Sequence, residues 1–372
     1  MRLTPGSALQ EACLARLEAE REALRGFREA GGKVMGFLCQ AFPPAVASGL
    51  GFWPVRVLEE ASTRLEDAGG SFVRPDVCPL VKVLLGSIGS GGLADGVDVW
   101  IGLATCDQMR RCFPVLRETR GTVVLDLQLP STRTPEAASR YAAAMEELCD
   151  LAVGTGLAER YDGERARTFA TARHEAGEVL AEAALSGEVA PLDLHWMLHL
   201  YHTARPDGLA RFFRSLVAEA PRFHGDRTVA VAGSSIPLED AILLRTLKEA
   251  GASVLPLHCS GLQTLPFLGL NRLPERFDPA SLAGEAFRSV RCARSRPNAD
   301  MFEYLESSVR NYGASGLIVR TMKFCDLWFT ERVRLREKID VPVLVMDVSF
   351  SVGEEERQTN RIEAFLETLD RP

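Results

Sequence analysis

Long apolar runs are missing from this chain of 372 residues: no stretch of about 18 consecutive apolar residues occurs, which argues against a membrane-spanning helix. Basic charge is in deficit too. The formal net charge is -7, and no Arg-containing stretch forms the sustained basic face that phosphate backbones require, so a nucleic-acid groove is not expected. There is no Cys-x-x-Cys knuckle of the kind that builds structural zinc sites. The glycine-rich "GSIGSGG" (86–92) lacks the Gly-Lys-Ser/Thr ending of a Walker loop and reads as a connector. The amino terminus is an amphipathic, charge-rich helix rather than a signal peptide, which predicts a cytoplasmic protein.

What is present is the balance of a soluble globular protein, 46% hydrophobic and 25% charged, with no room for extensive disorder. Domains run to roughly 100–200 residues, so two packed domains are predicted. Residues 1–32 form an N-terminal helical segment. Residues 33–134 form a first α/β lobe, with strands in "KVMGFLC" (33–39), "VDVWIGLATC" (97–106) and "TVVLDLQLP" (122–130). Long Ala-, Glu- and Arg-rich helices make 135–224 a helical insert. Residues 225–372 form a second α/β lobe, with "RTVAVAGSS" (227–235), a helix in "LEDAILLRTLKEAGA" (238–252), "SVLPLHC" (253–259), "SGLIVRTMKFC" (315–325) and "VPVLVMDVS" (341–349). Strands apolar almost throughout and separated by helices imply parallel sheets covered on both faces, so the expected fold is two flavodoxin-like, or Rossmann-like, lobes. Their likeness suggests a duplication.

Nine cysteines remain to be explained. In a reducing compartment they do not form a disulfide framework, and metal use and simple burial both stand open. In open α/β sheets ligands bind at strand carboxyl ends. Cys39, Cys106, Cys259 and Cys325 each close a predicted strand, and Cys78 precedes Pro79 at a helix start, where the thiolate is favoured. Cys13, Cys112, Cys149 and Cys292 look scattered. From spacing alone, a cluster in the cleft between the sheets and a set of buried structural thiols are both admissible.

Six segments then carry a resemblance: "GFLCQAFPPAVASGLGFWPVRV" (36–57), "CPLVKVLLGS" (78–87), "TCDQMRR" (105–111), "GASVLPLHCSG" (251–261), "KFCDLW" (323–328) and "TNRIEAFLETL" (359–369). In this order the chain resembles the 2-hydroxyacyl-CoA dehydratase and benzoyl-CoA reductase subunit family. The resemblance implies a 4Fe-4S cluster held by Cys78, Cys106 and Cys325, with Asp107 and Asp326 capping the helices that follow. It also implies a separate ATP-hydrolysing iron-sulfur activator protein, a paralogous subunit or a second copy as partner, and single-electron, ketyl-radical chemistry on an acyl-CoA thioester. In a homodimeric branch with a double-cubane cluster, Cys39 and Cys259 would join. The chain departs from the family pattern at two elements: Pro44 and Ala45 stand where an acidic element is common, and Gln263 stands where an arginine is. These departures also admit an accessory subunit that has lost its substrate site.

Other candidates are weaker. His195, His199 and His202 share helical spacing and could line one face as metal ligands or pack in a core. "AGSSIPLED" (232–240) could cradle a phosphate or be a capped turn. Lys82 and Lys323, near proposed ligands, could bind an anion or be surface lysines.

Overall fold

A computed structural model describes residues 4–58, 62–90 and 93–370, so the last two glycines of the 86–92 connector lie outside the described residues. Helix α1 (Ala8–Glu29) leads into β1 (Val34–Phe37), α2 (Pro44–Gly49), β2 (Trp53–Arg56), α3 (Thr63–Gly70), α4 (Pro79–Ser87), β3 (Val99–Leu103), α5 (Asp107–Arg120) and β4 (Val123–Leu127). Four helices follow: α6 (Pro135–Gly154), α7 (Gly163–Ser186), α8 (Pro191–Thr203) and α9 (Leu209–Glu219). The second sheet comprises β5 (Arg227–Gly233), β6 (Ala252–Pro256), β7 (Gly316–Met322) and β8 (Val343–Val348). Its helices are α10 (Ile242–Glu249), α11 (Pro279–Ser289), α12 (Ala299–Asn311), α13 (Asp326–Phe329), α14 (Arg332–Lys338) and α15 (Glu354–Leu369).

Both sheets are wholly parallel, and their strand orders, β2-β1-β3-β4 and β6-β5-β7-β8, are the same order repeated. The expected two-lobe α/β fold is therefore present. Strands β1, β3, β6 and β7 are buried along their whole length, which is why their sequences read as unbroken apolar runs rather than as alternation. Helix α6 packs against β4 and α11, α7 against α2 and α9, and α8 against α1, β2 and α10. Although α11 follows β6 in sequence, its Leu282, Ala283 and Phe287 complete the core on one face of the first sheet. A second core, including Trp100, Val231, Ile318 and Met346, draws on both sheets.

One boundary differs from expectation. The helix predicted from Leu238 starts only at Ile242, because Pro237 and the buried ion pair between Asp240 and Arg320 hold the preceding residues in an irregular turn. Among the described residues no helix is long and apolar enough to cross a membrane.

Close backbone approaches set the geometry around the site. Gly69 and Gly86 let α3 and α4 touch main chain to main chain; a Cβ on Gly69 would stand 1.7 Å from Lys82 O. Gly233 ends β5 with φ +106°, and a Cβ there would stand 1.9 Å from Arg320 O. That approach lets Ser234 N donate to Arg320 O at 2.8 Å. We predict that Gly233→Ala lowers unfolding free energy by about 1–3 kcal/mol, the cost of forcing an L side chain into this backbone region, read as a lower urea midpoint at unchanged slope.

Candidate functional site

In each sheet the order reverses beside the first strand, and the loops at the strand carboxyl ends open there. The two edges face a common cavity of about 380 Å³. Loops following β1, β2, β3, β5, β6 and β7 all reach it, so six strand ends from two sheets contribute side chains.

Six of the nine cysteines line this cavity: Cys39, Cys78, Cys106, Cys259, Cys292 and Cys325. Three of them immediately precede a helix and three do not. Cys78 is pushed up to about 12, chiefly by burial and then by the neighbouring sulfurs of Cys325 and Cys106. Burial raises Cys106 and Cys325 as well, and Cys325 adds to the shift at Cys106. Cys78 thus senses both other sulfurs and Cys106 senses Cys325, while Cys325 senses Cys292; backbone N–H groups at the helix starts oppose the rise. Cys78, Cys106 and Cys325 are the residues that immediately precede α4, α5 and α13.

This local arrangement corrects the expected caps. Cys106 itself caps α5, its Sγ accepting from Met109 N at 3.4 Å, whereas Asp107 pairs with Arg111 at 2.9 Å. Asp326 likewise opens α13 without capping it, since the capping position belongs to Cys325. A thiol takes the place a carboxylate was expected to take because each helix begins at the Asp itself, which leaves the capping position to the residue before it.

The second group is Cys39, Cys259 and Cys292. Cys259 is raised well above its ordinary value, first because its S–H donates to Cys292 and then by burial. Cys292 is lowered to about 7 as the acceptor of that bond, helped by the backbone N–H groups of Arg294 and Ala293 and by the Arg294 charge. Cys39 is raised by burial, and Cys292 adds to the rise. Cys292 looked scattered because no strand precedes it. It reaches the cavity because Arg294 ties its segment to the first lobe, donating to Thr105 O (3.0 Å), Pro130 O (2.9 Å) and Leu129 O (2.7 Å).

Cys13, Cys112 and Cys149 are buried away from this lining, and all nine cysteines are unpaired. Among the described residues no three His, Cys, Asp or Glu side chains are drawn together tightly enough to hold a single metal ion. The histidines do not form a site. His195 Nε2 donates to Pro237 O and His202 Nε2 to Ser260 O, each at 3.1 Å, while His199 Nδ1 is buried without a partner. Burial holds His195 down to about 4 and His199 to about 3, so both are neutral core residues.

The "AGSS" turn does not offer a phosphate cradle either, since Ser234 N is bonded to Arg320 O and Ile236 N to Ser260 Oγ. It is clamped instead between two buried arginines, Arg56 on Ser235 Oγ and Arg320 on Ser234 Oγ and Ser235 O. Lys82 is not a surface lysine: it is buried, donates to Pro75 O at 2.8 Å and stands 4.0 Å from Glu66. Lys323 pairs with Glu354 at 2.8 Å.

Gln263 is fully buried, donating to Leu257 O and accepting from Gln40 Nε2. A cation does stand nearby, but it is Arg56 from β2, donating to Cys259 O at 2.8 Å. Sequence spacing gave no signal for it, because an arginine ending a short strand looks like a surface residue.

In metal-free protein, Cys292 is predicted to be the cavity thiol alkylated first as pH rises through about 7, with Cys78 still protonated. Removing its donor in Cys259→Ala should move the labelling midpoint of Cys292 upward, as followed by peptide mass spectrometry. An unchanged midpoint would contradict the S–H···S bond.

Comparison with known proteins agrees with this geometry. The family model for the 2-hydroxyglutaryl-CoA dehydratase D-component matches residues 39–369. The chain is also similar to the Escherichia coli (strain K12) protein named "Putative dehydratase subunit YjiM", 19% identical over 366 residues that cover 92% of this chain and 93% of the other.

Proposed function

The chain belongs to the 2-hydroxyglutaryl-CoA dehydratase D-component family, and from that premise we propose that it is the iron-sulfur component of an acyl-CoA dehydratase or reductase system. The observation that carries this proposal is the convergence of Cys78, Cys106 and Cys325, from three separate helix starts, on one cavity.

The donor set fits such a group. Sulfur is the soft ligand of iron-sulfur clusters. A cluster of several irons also spaces its thiolates farther apart than one ion does, consistent with sulfurs near enough to shift Cys78 and Cys106 yet, among the described residues, not closing on a single metal. Burial, and then neighbouring sulfurs, hold these thiols protonated in the bare protein, so a cationic centre that takes up their charge would be strongly favoured.

When bound, the cluster supplies low-potential single electrons to an acyl-CoA thioester. The protein's own part is to position and to shield. Met109 N–H holds the Cys106 sulfur, and Leu38, Leu80, Leu84 and Leu327 keep water from the cavity. Three protein ligands leave room for an exchangeable one. Nucleotide hydrolysis would belong to a separate activator, in keeping with a chain that has no Walker loop. A second family subunit or a second copy of this chain would complete the enzyme, in a reducing cytoplasm that suits nine unpaired thiols.

A specific observation favours a second reading. Cys39, Cys259 and Cys292 form another group of three in the same cavity, which suits a double-cubane cluster and a homodimeric, ATP-dependent reductase.

Anaerobic purification with iron and acid-labile sulfide analysis tests both. About four irons per chain supports one cubane and about eight supports two. Single Cys78→Ala, Cys106→Ala and Cys325→Ala substitutions should each lower the iron content, whereas Cys39→Ala and Cys292→Ala should do so only if two cubanes are present. Iron unchanged in Cys106→Ala, or none in the parent chain after reconstitution, would end the proposal.

A further inference from the structure

Beside the thiol cavity two guanidinium groups come together with only neutral hydrogen-bond partners. Arg56 is 2% exposed and donates to Leu38 O at 3.0 Å, Cys259 O at 2.8 Å and Ser235 Oγ at 3.3 Å. Arg173, half-buried on α7, donates to Tyr201 O at 2.7 Å and lies over the Tyr201 ring at 3.9 Å. Between them sits His202. Its Nε2 proton is committed to Ser260 O, Arg173 Nη2 stands 3.5 Å from Nδ1, and Arg56 Nη1 lies 3.4 Å from Nε2 and 3.5 Å from Nδ1, over the ring. Burial and the two flanking cations hold this imidazole neutral, so it does not balance their charge.

Two like charges near each other among apolar walls repel, and a bound anion would relieve the repulsion. The sulfurs of Cys39 and Cys259 stand beside Arg56, but both thiols are held protonated and neutral. Among the described residues the electrostatic neighbour of Arg173 is the Tyr201 phenol. Both arginines line a second cavity, of about 120 Å³, on the far side of Arg56 from the thiols. Apolar walls from Phe37, Phe169 and Leu282 surround them, and its outer end is formed by residues 272–274, where Leu273 is 39% exposed. The carboxylate in its lining, Glu285, is already engaged by Arg288, Arg272 N and Ser289.

A space lined by two guanidinium groups and apolar side chains, its carboxylate already engaged, suits a small oxyanion. Guanidinium groups bind such ions through paired N–H donors, and desolvated walls strengthen the bond.

We propose that this second cavity is a binding site for a small oxyanion, a carboxylate or an inorganic phosphate-like ion, held between Arg56 and Arg173. Arg56 and Gln40 line both cavities, so a bound anion would stand one guanidinium away from the Cys39, Cys259 and Cys292 group. This assignment does not depend on iron.

The test is equilibrium dialysis of the full chain against labelled acetate and labelled phosphate in separate arms, with and without reconstituted iron, at fixed ionic strength. Saturable uptake of one ion per chain is expected, together with a higher Tm than in chloride. Whichever ion saturates identifies carboxylate or phosphate as the source. Arg173→Gln should weaken uptake about tenfold or more, while Arg173→Lys, which keeps the charge but not the fork, should lose less. The absence of saturable uptake and of a Tm shift in the parent chain would overturn the proposal, as would undiminished affinity in a folded Arg173→Gln protein. Because the iron-free arm stands alone, a failed iron analysis leaves this result interpretable, and the converse holds.

Discussion

The carboxyl edges of two parallel sheets meet across one cavity, and the remaining features of the site follow from that opposition. A parallel sheet sends every strand out at the same edge, so residues just past the strands gather without being near in sequence. Here the gathering is doubled, because both sheets repeat one strand order. Polar ties hold the edges in register: Arg294 on three carbonyls of the first lobe, Arg56 on Ser235 and Cys259, and Glu66 on the Phe350 amide at 2.9 Å. Loss of that register would disperse the thiols into separate, ordinary strand ends.

The charge balance of the cavity is set by the same opposition. Thiols buried together resist ionising, and arginines buried without carboxylates resist staying charged; burial lowers Arg56 to about 10, which still leaves it cationic at neutral pH. A fold gains nothing in stability from such an arrangement, since apolar side chains would fill the space at lower cost. Clusters of strained ionisable groups in a cleft mark function for this reason. The contrast with Arg320 is instructive: equally buried, it is matched by Asp240 and serves the architecture of β7 and the turn after β5.

Much of this was legible in the chain. Strands such as "VDVWIGLATC" announced a sheet covered on both faces, and cysteines closing "VMGFLC", "VWIGLATC" and "VRTMKFC" marked the edge where ligands bind. What misled were inferences from local grammar. Asp107 and Asp326 have the residue type of helix caps, yet the chain turns one residue earlier and the preceding cysteine takes that position. His195, His199 and His202, by contrast, admitted a ligand face or a packed core from their spacing, and the core alternative is the one found.

By itself the sequence determined the two parallel sheets, their helices and the presence of cysteine at several strand ends, because continuous apolar runs and turn residues act over a few positions and need no distant partner. Only the tertiary structure decided that Cys292, Arg56 and Arg173 belong to this region, and that Cys259 and Cys292 shift each other's titration. Those facts depend on α11 returning to the first lobe and on two edges closing together, and contacts between residues hundreds of positions apart leave no periodicity in the chain to be read.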